Sequence, residues 1–168
     1  MQISDRTIII TGGASGLGAA CIRAIVERGG NAVIFDLNQD KGDALVAELG
    51  ETVLFCAVNV IEEQSVRDGI AAAKAKFGDI HGVVNCAGTG DAGRTVGRDG
   101  AYPLDRFQKI INLNLVGTFN VTRLVAEAMQ TNEVNSADGE RGAIVNVASV
   151  AAIDGQIGQV AYSASKAG

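Results

Sequence analysis

The chain has no tryptophan and a single proline, Pro103, against 22 glycines in 168 residues. The glycines follow no period, which excludes collagen-like and low-complexity chains and points to tight turns and close backbone approaches. No run of Lys or Arg occurs and the formal net charge is −5, so a phosphate backbone would be repelled and nucleic acid is not an expected partner. No apolar stretch approaches the ~20 residues that cross a bilayer. The opening MQISDRTIIITGG sets its charges directly before a short apolar run that reads as a strand; no targeting peptide is visible, and a cytoplasmic location without membrane contact is expected. Histidine occurs once, at His81, ahead of a strand. No metal cluster can be assembled around it, so it reads as structural and no metal is expected. The cysteines Cys21, Cys56 and Cys86 are odd in number, lack C-x-x-C spacing and lie in apolar runs such as VLFCAV and VVNCAG. They read as small buried hydrophobes in a reducing compartment.

What is present is an alternation. With 47% hydrophobic residues against 20% charged, the chain can bury a continuous core as one domain over residues 1–168. Short β-branched runs, Thr7 to Thr11, Asn31 to Asp36, Thr52 to Val58, Ile80 to Ala87 and Gly142 to Ser149, predict strands apolar enough to be covered on both faces. Between them, helical periodicity predicts helices over Leu17 to Arg28, Gln39 to Leu49, Glu62 to Phe77 and Leu104 to Gln130, with a fifth beginning near Gly158. Gly88 to Pro103 and Thr131 to Gly142 read as loops, the first long enough to suggest function. The pattern predicts an α/β fold of Rossmann type, a doubly wound parallel sheet.

TGGASGLG, Thr11 to Gly18, leaves the first strand and opens the first helix. Gly12, Gly16 and Gly18 let the chain turn sharply, approach a pyrophosphate and pack helix on strand, while the helix N-terminus presents N–H groups to the anion. A simple turn is the bland alternative. A nucleoside-triphosphate loop would need G-K-[ST], and this one ends Gly16-Leu17-Gly18-Ala19. Asp36, closing the second strand, can accept both ribose hydroxyls of an adenosine and repel a 2′-phosphate, which predicts NAD over NADP. Leu37 and Asn38 add no base to reverse that preference. Capping of the next helix is the alternative for Asp36.

Polar residues recur where such a sheet places its crevice, at the carboxyl ends of strands: Asn59 after the third, Asn85 to Gly88 after the fourth, Ser149 after the fifth. Tyr162 and Lys166 share one helical face, where an ammonium favours the ionised form of a neighbouring phenol, making Tyr162 a general acid or base. Ser149 could hold a substrate oxygen for that exchange. Read singly, the Tyr–Lys pair is a surface pair and Ser149 a helix cap. Asn114 lies on an apolar helix face and must find partners, either as a structural amide or in a proton relay.

Together, TGGASGLG, Asp36, NCAG, the NLN of Asn112 to Asn114, Ser149 and the YSASK of Tyr162 to Lys166 resemble the short-chain dehydrogenase/reductase family, in order and spacing, across the whole chain. Within it, GTFNVTRLVAEAM, GERGAIVNVASVAA and DGQIGQVAYSASKAG are most similar to the type-2 3-hydroxyacyl-CoA dehydrogenases, which also carry a 17β-hydroxysteroid dehydrogenase name. The resemblance implies reversible hydride transfer between NAD and a secondary alcohol or ketone, with 3-hydroxyacyl-CoA and 3-oxoacyl-CoA of fatty-acid metabolism as the leading pair. It implies that Tyr162 exchanges the proton, Lys166 assists it and binds ribose, Ser149 orients the substrate oxygen, Gln156 touches substrate and Asn114 holds a water linking Lys166 to solvent. For the cofactor it implies Gly12, Ser15, Gly16, Leu17 and Gly18 from the loop, Asp36, Asn59 and Val60, then Cys86, Ala87 and Gly88, with Tyr162 and Lys166. Asn59 replaces the family's usual Asp, and Cys86 a common second Asn.

The resemblance also implies a dimer or tetramer built through the long helices. In the family, further elements follow YxxxK, so the chain is expected to be shortened after its fifth strand, with half the crevice unwalled, and to bind NAD poorly when alone. The runner-up activities are another enzyme of the family, such as a 3-oxoacyl-carrier-protein reductase or a hydroxysteroid dehydrogenase, and a dinucleotide-binding protein without catalysis.

Overall fold

Five of the β-branched runs form one parallel sheet in the computed structural model, which describes residues 2–98, 100–134 and 139–168. Residues 99 and 135–138, within the two expected loops, lie outside the described residues. The strands are β1 (Thr7–Thr11), β2 (Asn31–Asp36), β3 (Val53–Ala57), β4 (Gly82–Asn85) and β7 (Ala143–Asn146), with a two-stranded antiparallel hairpin, β5 (Val96–Gly97) and β6 (Gly100–Ala101), between β4 and β7. The sheet order is β3-β2-β1-β4-β7. The chain moves outward from β1 to β3, then crosses back to β4 on the other side. That reversal leaves a crevice beyond the carboxyl ends of β1 and β4.

Both faces of the inner strands β2, β1 and β4 are largely buried, which explains their unbroken apolar runs. Alternation sends Ile9, Val33 and Val83 into one layer with α3 (Glu63–Phe77) and α5 (Thr118–Met129). Ile8, Ile10, Ala32 and Ile34 go into the other with α1 (Gly16–Glu27). On that second side α2 (Gln39–Leu49) adds Leu45. The outer strand β7 pairs with β4, and its Ile144 and Val145 remain exposed.

Expected and observed elements differ in instructive places. β4 and β7 stop at Asn85 and Asn146, short of the predicted ends. The backbone beyond is diverted to other partners: Ala87 N–H donates to Thr11 Oγ1 at 3.0 Å, and Val147 O accepts from Lys166 Nζ at 2.8 Å. The predicted helix over 104–130 is α4 (Leu104–Ile111) and α5 joined by a π-helical segment, Asn112–Gly117. Thr118 Oγ1 donates to the Asn114 carbonyl at 2.7 Å within that wide turn, a form often found at functional sites. The two-residue strands of the hairpin are too short for alternation to reveal them. The last helix, α6, covers Val160–Ala167.

His81 ties β4 to β1. Thr7 N–H donates to His81 Nδ1 at 3.1 Å, and His81 N–H to Thr7 O at 2.8 Å. That acceptor role requires an unprotonated Nδ1. Burial, with the nearby Arg6 charge, lowers the imidazole pKa from its ordinary 6.5. The unfolded chain therefore binds this proton more readily, and the group's contribution to stability is complete above about pH 6.5 and lost as pH falls through the folded value. His81→Asn keeps an acceptor and removes the titration, so the variant should show a flatter decline of Tm between pH 7 and 5. An identical pH dependence in both proteins would contradict this role.

Candidate active site

Beyond β1 and β4 lies a cleft of about 390 Å³. Its floor is the glycine loop. Gly12 has φ +63°, and a Cβ there would lie 3.0 Å from both the N and Cα of Ala87, so β1 and β4 could not approach as they do with any side chain. A Cβ on Gly18 would run into the Gly12 carbonyl, so α1 sits directly on the loop. Gly16 has φ +52° and meets only open space. No side chain caps α1 at Ser15, leaving its first N–H groups for an anion.

All the loop positions proposed for a dinucleotide, Gly12, Ser15, Gly16, Leu17 and Gly18, line this cleft, with Asp36, Asn59, Val60, Cys86, Ala87 and Gly88. Phe35, Leu37, Val58 and Leu113 also line it. As buried or apolar residues they carried no polar signal in the sequence. Asp36 accepts from Ala14 N–H at 3.1 Å and from Asn38 N–H at 3.0 Å, so its carboxylate is fixed to the loop, while the cap of α2 is supplied by Asn38. Asn59 donates from Nδ2 to Glu62 at 2.7 Å and accepts from Ile61 N–H at 3.3 Å, leaving its amide oxygen one lone pair toward the cleft. Burial pushes the Cys86 thiol up to about 11, so it is a neutral wall of the cleft with no nucleophilic character.

The residues expected to handle a proton stand next door. Lys166 and Asn114 line a second cavity of about 330 Å³, and neither Tyr162 nor Lys166 lines the first. Gly88 lines the first cavity, and the next residue, Thr89, is bonded to Asn114, which lines the second. A Cβ on Gly88 would lie 3.8 Å from Lys166 Nζ, and one on Gly90 would lie 3.9 Å from the Tyr162 ring. The Lys166 ammonium sits 5.9 Å from the centre of that ring. Asn114, 5% exposed, grips the same segment: Oδ1 accepts from Thr89 N–H at 2.9 Å, and Nδ2 donates to Thr89 O and to Ser165 Oγ, both at 2.9 Å. Both amide hydrogens are thus committed within the protein, as the structural alternative foresees. Thr89 and Ser165 were not singled out from sequence, because their partners lie 25 and 51 residues away.

Ser149 sits at the start of a single 3₁₀ turn, Val150–Ala152, and accepts from Ala151 N–H at 3.2 Å. It is therefore the expected cap, yet its own O–H remains available to donate. Gln156 is exposed in the turn before α6 and does not line either cavity. Among the described residues no group of three or more His, Cys, Asp and Glu could hold a metal, and no helix is long and apolar enough to cross a membrane.

Comparison with known proteins places this geometry among relatives. A family profile described as short chain dehydrogenase matches residues 6–168. A 3-hydroxyacyl-CoA dehydrogenase type-2 of Drosophila melanogaster is 49% identical over 99% of this chain and 66% of its own length. The Homo sapiens protein of that name is 46% identical over 99% of this chain and 64% of its own. The crystal structure of a 3-hydroxyacyl-CoA dehydrogenase type-2 from Mycobacterium avium superposes with a TM-score of 0.94 at 43% identity, covering 100% of this chain and 66% of that one. The chain thus spans 64–66% of the length of these relatives.

Proposed function

This chain belongs to the short-chain dehydrogenase family, and from that premise we propose that it serves the NAD-dependent interconversion of 3-hydroxyacyl-CoA and 3-oxoacyl-CoA. The observation that carries the reading is adjacency: Gly88 lines the glycine-loop cleft and stands next to Lys166, and two residues on Gly90 stands next to the Tyr162 ring.

The cleft fits a nicotinamide dinucleotide: an uncapped helix N-terminus and Gly16 suit a pyrophosphate, and the fixed Asp36 carboxylate suits an adenosine ribose without a 2′-phosphate. When bound, that group supplies or accepts the hydride. Tyr162 then gives its hydroxyl proton to the substrate oxygen during reduction and takes it back during oxidation. Ser149, whose Oγ accepts from Ala151 N–H, donates its O–H to the same oxygen. Lys166, anchored to Val147 O, holds its amino group 5.9 Å from the centre of the Tyr162 ring, next to the group that exchanges the proton. For Asn114 the geometry supports holding residues 88–90 more directly than relaying through a water, since both its amide hydrogens are already donated.

The substrate class rests on the relatives' names and on the motif similarity around Ser149 and Tyr162. A second copy of the chain is the partner that the family resemblance implies, and Phe119, 64% exposed on α5, offers apolar surface for it. The test is reduction of 3-oxoacyl-CoAs of graded chain length with NADH. Saturable turnover is expected, with 3-oxoacyl-carrier-protein and oxosteroid substrates slower. Turnover confined to those last two would move the protein to another branch of the family, and NADH binding without any turnover would favour a non-catalytic role.

A further inference from the structure

The segment leaving β4 runs along the helix that carries Tyr162. Gly88 faces Lys166, Gly90 faces the Tyr162 ring, and Gly93 N–H donates to Gly158 O at 2.7 Å, with a parallel bridge from Gly93 to Gln159. Gly158 and Gln159 are the residues from which α6 departs. Any change in the path of 88–93 must therefore be felt where the phenol is placed.

Asn114 secures the near end of this segment through Thr89. The far end is secured by a different cluster. Tyr102 O–H donates to Asp91 Oδ2 at 2.6 Å, Arg106 Nε donates to the same oxygen at 2.7 Å, and Arg106 Nη2 donates to Asp91 Oδ1 and to the Ala92 carbonyl at 3.3 Å. This is a forked guanidinium–carboxylate pair, the geometry that orients as well as attracts. The guanidinium also lies 5.2 Å from the centre of the Tyr102 ring. That ring occupies the space a side chain at residue 93 would need, with its Cζ 3.7 Å from the Cβ position. Tyr102 N–H donates to Thr95 O at 2.9 Å, closing the loop on itself. Arg106, followed by the Tyr102 hydroxyl, holds the Asp91 carboxyl down to about 2, so the pair is charged throughout the physiological range.

We propose that Asp91, Tyr102 and Arg106 are positioning residues: they clamp residues 91–93 against the start of α6 and thereby fix the Tyr162 phenol over the reacting oxygen. The inference rests on the catalytic reading above for its last step, and on hydrogen bonds for the coupling. None of the three lines the dinucleotide cleft; their effect passes through Gly93, Gly158 and Gln159, beside the direct packing of α4, which carries Arg106, on α6.

Arg106→Ala, compared with Arg106→Lys and the parent protein, tests both parts. Hydrogen exchange reports the coupling. The Gly93 amide should exchange roughly tenfold faster or more in Arg106→Ala once its clamp is lost. Steady-state kinetics report the positioning: kcat should fall roughly tenfold or more, as a small misplacement of a reacting group produces, with NADH affinity and Tm close to the parent's. Lys keeps the charge without the fork, so Arg106→Lys should recover part of the loss. Unchanged Gly93 exchange and unchanged kcat overturn the proposal. So does a fall in kcat that comes with equal losses of NADH affinity and Tm, which signals general loosening. If the parent protein reduces no 3-oxoacyl-CoA but Gly93 exchange still accelerates, the catalytic reading fails and the clamp stands.

Discussion

Tyr162→Phe is expected to lower kcat for the proposed 3-oxoacyl-CoA reduction by ~10²–10⁴-fold, the range for removal of a positioned general acid. The substitution deletes one oxygen and keeps the ring that lies beside Gly90, 3.9 Å from the position of a Cβ there. Packing of α6 on the 88–90 segment is preserved, so Tm and NADH binding stay at parent values. The loss therefore falls on kcat rather than on binding, the signature of an interaction realised in the transition state. Lys166 remains held by Val147 O in this variant. Measuring single-turnover NADH oxidation separates the chemical step from product release. A rate equal to the parent's would remove Tyr162 from the proton-transfer role, and with it the mechanism.

Asp36→Asn changes dinucleotide choice. The carboxylate is fixed by the N–H groups of Ala14 and Asn38, so its position at the cleft wall is set before any ligand arrives. The amide keeps roughly the same volume but only one acceptor oxygen, so one of the two bonds from Ala14 N–H and Asn38 N–H is lost with the substitution. What also disappears is the charge that strengthens bonds from ribose hydroxyls and repels a 2′-phosphate. Hydrogen bonds to charged groups contribute about 1.5–3 kcal/mol, so the ratio of kcat/KM with NADH to that with NADPH should fall roughly 10- to 150-fold. Leu37 and Asn38 offer no cation, so NADPH is expected to be tolerated without becoming the better substrate. An unchanged ratio would show that Asp36 serves the loop alone.

Much of the site was legible because its signals are local. The backbone demands of TGGASGLG are met within eight consecutive residues, and the strand before it and the helix after it are visible in the same window. Asp36 is legible for the same reason, standing at the end of an unmistakable strand. Tyr162 and Lys166 are one helical turn apart, so their shared face follows from helix geometry. By contrast, Thr11 Oγ1 holding Ala87 N–H spans 76 residues, and Asn114 gripping Thr89 spans 25. No periodicity encodes such pairs. The π-helical segment 112–117 was also beyond reach, since it inserts a wide turn into a run whose apolar spacing reads as one ordinary helix.

The sequence by itself determined the strand and helix alternation, the parallel sheet and the glycine-rich turn between β1 and α1, and it put Tyr162 and Lys166 on one helical face. These depend on backbone preference and on neighbours within a few residues. Only the tertiary structure decided that Lys166 and Asn114 line a cavity beside the glycine-loop cleft, that residues 88–90 run past Lys166 and Tyr162, and that Asp91, Tyr102 and Arg106 bond to one another. The physical reason is that hydrogen-bond partners are chosen after distant strands have been brought into register, and the geometry of that meeting is set by packing of the whole core.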